Sequence, residues 1–165
     1  MRRRALLRAG GAAGIAAMLG AGCGFERRRQ PVLAFERIAL TGFAPRSPLA
    51  DALRRELAQT VRVVEAPALA EVVLQALADV REKSVVASTA AGQVREFQLR
   101  LRFAFRVDTP AGRALIAPAE LLLTRDLSFN ETDTLGKQME EAELFRQMQA
   151  DVVTQVLRRL AAVRL

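Results

Sequence analysis

The stretch FQLRLRFAFRV at residues 97–107 decides the fold of this chain. Apolar residues occupy its odd-numbered positions, and arginine, glutamine or alanine occupies the positions between them. This alternation is typical of a β-strand that buries one face and exposes the other. The turn sequence DTPAG follows at residues 108–112. Because proline fixes φ and glycine accepts a positive φ, this turn predicts an antiparallel hairpin with the next apolar run.

The second strand of the hairpin follows the turn. Pro118 has no N–H to offer a neighbouring strand, so it belongs at an edge, at a bulge or on an unpaired side. Arg125 and Asp126 break the apolar pattern, which indicates either a bulge or the exposed end of the strand. The inward face is assigned to five apolar residues, Leu115, Ala117, Ala119, Leu121 and Leu123.

Two helices are predicted, one on each side of this hairpin in the sequence. Ser47 is a suitable N-cap and Pro48 a suitable first helical residue, and leucines at spacing four then share one face. The last helix covers residues 134–163, and Thr132 or Asp133 caps it. A helix of this length spans about 45 Å and can cross the sheet. Its apolar face consists of Leu135, Met139, Ala142, Phe145, Met148, Val152, Val156, Leu160 and Val163.

Two other segments carry weaker patterns. Residues 33–40 are predicted to form the opening strand. Residues 70–88 fit both a helical spacing and a strand alternation. Periodicity alone slightly favours a helix for this second segment.

The N-terminus has the features of a lipoprotein signal segment. Four arginines precede an apolar run at residues 9–22, which is shorter than the about 20 residues of a membrane-spanning helix. The run ends in small residues directly before Cys23, the single cysteine of the chain. Residues 1–22 are therefore predicted to be removed and Cys23 to be acylated. An ordinary signal peptide with an incidental cysteine is the alternative, and Arg3-Arg4 leaves the export route open between Sec and twin-arginine.

Removal of this segment changes the charge of the chain. The full chain carries 25 basic and 18 acidic residues, and loss of the four arginines before Cys23 lowers its net charge from +7 to +3. This small surplus does not predict nucleic-acid binding. The mature chain is divided into a tether at residues 23–33 and a single domain at residues 34–165.

The residue types present also argue against catalysis. The chain has no histidine, and its one thiol is acylated if the signal interpretation holds. A Ser-His or Cys-His nucleophile pair and a zinc site are therefore not expected, and no glycine-rich phosphate loop is present. We expect no enzyme activity, no metal and no cofactor. Binding and assembly remain as functions.

The polar face of the 97–107 strand is the first candidate binding surface. Arg100, Arg102 and Arg106 lie on it, and neighbours on one strand face are about 6.8 Å apart, a spacing that suits several phosphates in a line. The alternative is a solvated face whose arginines are partly paired. Glu120 is expected opposite Arg100 or Arg102, depending on the register of the hairpin.

Short segments spread along the mature chain carry a resemblance to a known family. They are CGF at residues 23–25, SPL at 47–49, GQVREFQL at 92–99, RD at 125–126 and LGKQMEE at 135–141. In this order they resemble LptE, the lipopolysaccharide-assembly lipoprotein of the Gram-negative outer membrane. The resemblance implies an α+β, two-layer sandwich: a mixed four-stranded sheet with two helices on one face, in the order βαβββα. It also implies that residues 72–88 form a strand.

The resemblance further implies partners and a site. It predicts an outer-membrane lipoprotein on the periplasmic side that plugs the LptD barrel, assists barrel assembly and binds lipopolysaccharide. Lys137 matches one basic residue of the family's lipopolysaccharide site. The family's other basic residue falls in the loop Ser88, Thr89, Ala90, Ala91 and Gly92, which has no charge here.

That loop is predicted to contact the barrel instead, because small uncharged residues enter a confined lumen without the cost of burying a charge. Lys137 and the arginines at 100, 102 and 106 would then contact lipopolysaccharide. Two other functions stay open at this point. One is a regulatory lipoprotein that activates a cell-wall synthase, and the other is a periplasmic carrier of amphiphiles.

Overall fold

The computed structural model describes residues 32–165, and the predicted signal segment and Cys23 lie outside these residues. Five strands form one sheet, and two α-helices pack on it. Short 3-10 turns occur at Pro67–Leu69 and Glu131–Asp133. In chain order the main elements are β1 (Arg37–Thr41), α1 (Pro48–Leu57), β2 (Arg62–Val64), β3 (Val72–Ser88), β4 (Val94–Asp108), β5 (Ala114–Ser128) and α2 (Thr134–Ala161).

The sheet is mixed, as predicted, and its strand order is β2-β1-β3-β4-β5. β1 pairs in parallel with both β2 and β3, whereas β3, β4 and β5 form an antiparallel meander. The prediction of four strands was wrong because β2 adds a fifth at one edge. Its three residues are too few to show an alternation in the sequence. The hydrogen bond from Arg62 N–H to the Glu36 carbonyl, 2.8 Å long, secures it to the start of β1.

The odd-numbered residues of β4 form the centre of the hydrophobic core. The side chains from Leu99 to Val107 on this face are fully buried, as the alternation predicts. Leu53 of α1 and Met148 of α2 belong to the same buried cluster, so both helices cover this one face. The other face of β4 carries the arginines. The α+β, two-layer class is therefore confirmed.

β3 is a strand, as the resemblance implies, and a bulge explains its ambiguous pattern. Up to Ala76 its even-numbered residues are buried. The register shifts between Ala76 and Ala78, so Leu77 is an extra residue without a partner on β4. Beyond the bulge the odd-numbered residues face the helices, and Asp79 lies opposite Phe103 of the core. Neither a single strand period nor a helix period therefore fits the whole segment.

A second irregularity lies in β5, the strand at the other edge of the sheet. The register shifts between Phe105 and Val107 of β4, opposite the part of β5 that contains Pro118. Pro118 therefore lies in an edge strand at a bulge, which confirms two of the predicted settings. Ala117 is exposed, so its assignment to the inward face was wrong. The strand continues regularly through Arg125, whose guanidinium reaches Asp151 of α2 at 3.2 Å.

The helix ends follow the predicted caps. The Ser47 hydroxyl accepts from the Ala50 N–H at 3.1 Å and donates to Asp79 Oδ2 at 2.6 Å. Asp133, one of the two proposed caps of α2, accepts from the Gly136 N–H at 3.2 Å. The last helix ends at Ala161, two residues before its predicted end.

The first two turns of α2 do not join the core. Leu135 is 72% exposed, Met139 is 67% exposed and Ala142 is also exposed, so their assignment to the buried face was wrong. β3 lies beneath this part of α2, and after the bulge at Leu77 it presents charged side chains to the helix. Lys83 binds Glu141 of α2 at 2.6 Å, and Arg81 lies over the Phe145 ring. Burial of the apolar helix face begins only at Phe145.

Candidate functional site

The arginine stripe lies on the sheet face that the helices leave uncovered. Arg100 is exposed, and Arg102 and Arg106 are half-buried. Ala104 occupies the position between the last two, so the stripe has a gap of one side chain. The structure therefore brings these three predicted residues together on one open surface.

The two ends of the stripe have partners on their own strand. Arg106 Nε lies 2.6 Å from Asp108 Oδ2, and Arg100 Nε donates to Gln98 Oε1 at 2.8 Å. The hydrogen bond and the negative charge of Asp108 raise the pKa of Arg106 above its ordinary value. Arg106 is therefore a permanent cation that a carboxylate already partly neutralises.

The middle arginine has a partner on β5. Glu120 lies directly opposite Ala104, so the expected position opposite Arg100 or Arg102 was wrong. Glu120 still reaches Arg102 diagonally, with 3.5 Å between Oε2 and Nη1. Exposed ion pairs contribute only about 0–1 kcal/mol, so an anionic ligand can displace such a carboxylate at small cost. The geometry is that of a partly paired polar face.

Lys137 lies in the helical layer, on the first turn of α2. Its Nζ atom lies 2.8 Å from Glu140 Oε2 and 3.1 Å from Ser128 Oγ, and its side chain is 18% exposed. A cation near a helix N-terminus opposes the helix dipole, and Glu140 offsets this. The arginine stripe occupies the opposite face of the sheet. The structure therefore does not gather the four predicted basic residues into one site.

The β3–β4 turn is closed by its own backbone. The Thr89 N–H donates to the Gln93 carbonyl at 2.8 Å, and the Gly92 N–H donates to the Thr89 carbonyl at 2.9 Å. Gly92 has φ of +80°, which favours glycine. Ala90 and Ala91 are exposed at the tip. The predicted contact loop is thus a compact, uncharged turn. Its backbone N–H groups at Thr89 and Gly92 are already hydrogen-bonded within the turn.

The β4–β5 turn repeats this design at the opposite end of the hairpin. The Thr109 N–H donates to the Arg113 carbonyl at 2.9 Å, and the Gly112 N–H donates to the Thr109 carbonyl at 2.9 Å. Gly112 has φ of +87°. Ala111 is exposed and holds the place that Ala91 holds in the first turn. One turn is therefore an internal control for the other.

Four exposed apolar residues near the β3–β4 turn were not predicted as surface residues. Val85 and Val86 lie on β3 close to the turn, and Leu135 and Met139 lie on the first turns of α2. The sequence contains no signal for the exposure of Leu135 and Met139, because the helical spacing of apolar residues continues unbroken from Leu135 into the core. This end of the molecule combines an uncharged turn with exposed apolar side chains and Lys137.

Within residues 32–165, no group of three or more potential ligands is placed to hold a metal ion. Neither α-helix in this range has a stretch apolar enough to cross a bilayer.

Comparison with known proteins gives a family and a fold. Residues 35–160 match the family LptE, described as lipopolysaccharide-assembly. The solution structure of an uncharacterized lipoprotein B from Nitrosomonas europaea is 34% identical, with a TM-score of 0.72. This similarity covers 84% of the present chain and 91% of that protein. No curated protein matches the sequence.

Two crystal structures share the fold at lower identity. Rare lipoprotein B from Shewanella oneidensis is 24% identical with a TM-score of 0.64, over 77% of this chain and 95% of that one. A minor lipoprotein from Acinetobacter baumannii is 20% identical with a TM-score of 0.64, over 79% and 93% of the two chains. Both similarities support the two-layer architecture described above.

Proposed function

The chain belongs to the LptE lipopolysaccharide-assembly family, and from this premise we propose that it is a lipid-anchored outer-membrane subunit of the lipopolysaccharide translocon. In this role it plugs an LptD-like β-barrel from the periplasmic side, assists barrel assembly and binds lipopolysaccharide. It acts by contact and not by catalysis. The family match over residues 35–160 is the observation that carries the proposal.

The end of the molecule that carries the β3–β4 turn has features that support its insertion into the lumen of the barrel. The contact loop, Ser88 to Gly92, bears no charge, and its backbone is bonded within the turn. Val85 and Leu135 present apolar surface beside it. A confined lumen excludes water, so a tip of this kind enters without leaving a charge unpaired. The proposed contact therefore involves the loop together with one edge of the sheet.

A charge at the loop tip should disrupt the barrel contact. We expect Ala91→Asp to lower the yield of co-purified barrel at least about tenfold, because an unpaired carboxylate would be buried in the lumen. The free energy of unfolding should change by less than about 0.5 kcal/mol, since Ala91 is exposed. The measurement is barrel yield from solubilised outer membrane, with thermal melting of each purified variant.

The equivalent turn at the other end of the sheet supplies the control. Ala111→Asp places the same carboxylate in a turn of the same hydrogen-bond pattern. It should leave the barrel yield unchanged. Equal losses in both variants, or no loss in Ala91→Asp, would show that the β3–β4 loop does not contact the barrel.

Lys137 is proposed to bind a phosphate or carboxylate of lipopolysaccharide. Its present partner Glu140 is an exposed carboxylate that an anionic ligand can replace. We expect Lys137→Asp to weaken lipopolysaccharide retention about tenfold without loss of the barrel. Glu140→Gln should have the opposite effect, because it removes the negative charge that neutralises Lys137 and leaves the bond to Ser128 in place. If retention is the same in both variants, Lys137 is not part of the site.

Acylation of Cys23 is the remaining part of the proposal. Cys23 lies outside the described residues, so its role rests on the signal pattern and on the family. We expect the mature chain to begin at Cys23 and to carry added acyl mass in intact-mass spectrometry. Cys23→Ser should leave the precursor unprocessed and the protein absent from the outer-membrane fraction. A mature wild-type chain without acyl mass would refute the anchor.

A further inference from the structure

One end of the sheet holds the starts of β1 and β2 together with the β4–β5 turn. Arg37 of β1 lies beside Arg62 of β2. Val73, near the start of β3, lies beside Asp108, the last residue of β4. The β3–β4 turn is at the far end of the same strands, about 50 Å away, because β4 has 15 residues. We call the first of these ends the tether end, because the described chain enters the domain there.

The proposed acyl anchor keeps the tether end within reach of a bilayer. Val32, the first described residue, is 87% exposed and lies five residues before β1. Cys23 is nine residues before Val32, so the two are at most about 32 Å apart in an extended chain. This reach is shorter than β4. An acylated chain therefore holds the tether end near the bilayer surface, whereas the β3–β4 turn can lie outside that reach.

Exposed arginines at the tether end have no carboxylate partner. Arg62 begins β2, and Arg113 closes the β4–β5 turn. Arg158 lies in the last turn of α2, which reaches this end because the guanidinium of Arg159 lies 5.7 Å from the centre of the Phe105 ring. Arg62, Arg113 and Arg158 are exposed, and none of them forms an ion pair within residues 32–165. They therefore present cationic groups to solvent.

The acids at the same end offset only part of this charge. Glu71 is neutralised by Arg37, 3.1 Å away. Arg55 and Glu56 are neighbours at the end of α1, and their charges cancel. Glu36 is exposed and has no cation partner in the described part of the chain, so it opposes the unpaired arginines alone. The tether adds a run of three arginines at residues 27–29, next to one glutamate.

Two turns present apolar side chains beside these arginines. Leu69 ends the 3-10 turn that follows β2 and is 61% exposed. Pro110 is exposed in the β4–β5 turn. The two turns lie side by side, because Pro67 and Pro110 line one cavity of about 570 Å³. Exposed apolar side chains next to cations suit a lipid surface, where apolar burial and attraction to anionic headgroups add together.

We propose that the tether end binds the surface of a bilayer that contains anionic phospholipids. Leu69 enters the boundary between headgroups and acyl chains, and Arg62 and Arg113 bind lipid phosphates. The β3–β4 loop then points away from this bilayer and stays free to meet a barrel chain. The inference rests on the acylation proposed above for its tether alone, because the surface itself binds lipid without an acyl chain.

The first test measures vesicle binding by residues 23–165 with Cys23→Ser, a chain that carries no acyl group. We expect binding at least about tenfold stronger to vesicles of equal parts phosphatidylglycerol and phosphatidylcholine than to pure phosphatidylcholine. Each arginine near an anionic surface contributes about fivefold, so two or more arginines account for this preference. Molar salt should abolish the preference, because it screens these charges.

Matched variants separate lipid binding from structure. Arg62→Glu should weaken binding to the mixed vesicles at least about tenfold. Arg95→Glu makes the same charge change at an exposed arginine beside the β3–β4 turn and should change binding less than about twofold. Leu69→Ser should weaken binding about threefold or more, because it removes an apolar contact with lipid. The three side chains are exposed, so the melting temperatures should stay close to that of wild type.

The second test measures the orientation of the acylated mature chain in nanodiscs of the same lipid mixture. Cys23 is the single cysteine of the chain, so an added cysteine is the only free thiol once Cys23 is acylated. A fluorophore at Ala111→Cys, in the β4–β5 turn, should be quenched by a quencher on the lipid headgroups. The same fluorophore at Ala91→Cys, in the β3–β4 turn, should keep its full emission.

Either test can overturn the proposal. Equal binding to the two kinds of vesicle, or equal losses in Arg62→Glu and Arg95→Glu, would show that the tether end is not a lipid-binding surface. Equal quenching at the two turns would show the same. Vesicle binding by the unacylated chain would support the proposal even where intact-mass spectrometry finds no acyl group on Cys23. A failure of the anchor and a failure of this surface are therefore distinguishable.

Discussion

Replacement of Leu101 by aspartate is expected to remove a large part of the stability of the domain. Leu101 is fully buried at the centre of β4, with Leu123 opposite it on β5 and Arg81 opposite it on β3. An aspartate there loses the packing of a leucine and places a carboxylate in the hydrophobic core, where the opposed Arg81 compensates only part of the cost of burying the charge. The combined loss exceeds about 4 kcal/mol, a large part of the about 5–15 kcal/mol that stabilises a domain of this kind. Urea titration followed by circular dichroism measures this loss in the free energy of unfolding.

The neighbouring residue provides the control for this variant. Arg100 lies on the open face of the same strand, and within residues 32–165 its side chain bonds Gln98 alone. Arg100→Ser should therefore change the free energy of unfolding by less than about 1 kcal/mol. Leu101→Asp with a cooperative melting transition near that of wild type would mean that the faces of β4 are assigned wrongly.

Replacement of Gly42 by alanine is expected to have the second largest effect. Gly42 follows β1 and has φ of +77°, a conformation that disfavours other residues. A Cβ atom at this position would lie 2.3 Å from the Ala76 carbonyl oxygen, a backbone atom of β3 that cannot turn aside as the end of a flexible side chain can. Conformational strain and this clash together should destabilise the domain by about 3 kcal/mol or more. Thermal melting gives the measurement.

The variant Gly92→Ala distinguishes the effect of conformational strain from the effect of the steric clash. It has nearly the same φ, +80°, but a Cβ atom there meets nothing within 4 Å. Gly92→Ala should therefore cost only the conformational part, about 1–2 kcal/mol. If Gly42→Ala and Gly92→Ala melt at the same temperature, the close approach of Gly42 to Ala76 does not contribute to stability.

Much of the fold could be predicted from short-range patterns. The β4–β5 hairpin, the Ser47 cap and the long final helix each depend on spacing or turn chemistry within a few residues. β2 could not be found this way, since three residues without alternation become a strand only through pairing with β1 and with Glu36, the residue just before β1. The bulge at Leu77 likewise arises from pairing with β4, which no local pattern encodes.

The candidate site was predictable in composition but not in arrangement. The alternation placed Arg100, Arg102 and Arg106 on one open face, and the structure agrees. Lys137 was grouped with them because all four are basic, yet it belongs to the helical layer on the opposite side of the sheet.

The outer edge of β5 has a consequence for how copies of this protein behave together. A strand at the border of a sheet offers free N–H and C=O groups to any other strand, and Ala114–Ser128 is long enough to nucleate aggregation. Pro118 and the bulge beside it interrupt this edge, so a foreign strand meets only a shortened and bent template. Pro118 is therefore expected to limit edge-to-edge association between copies of the molecule at high concentration.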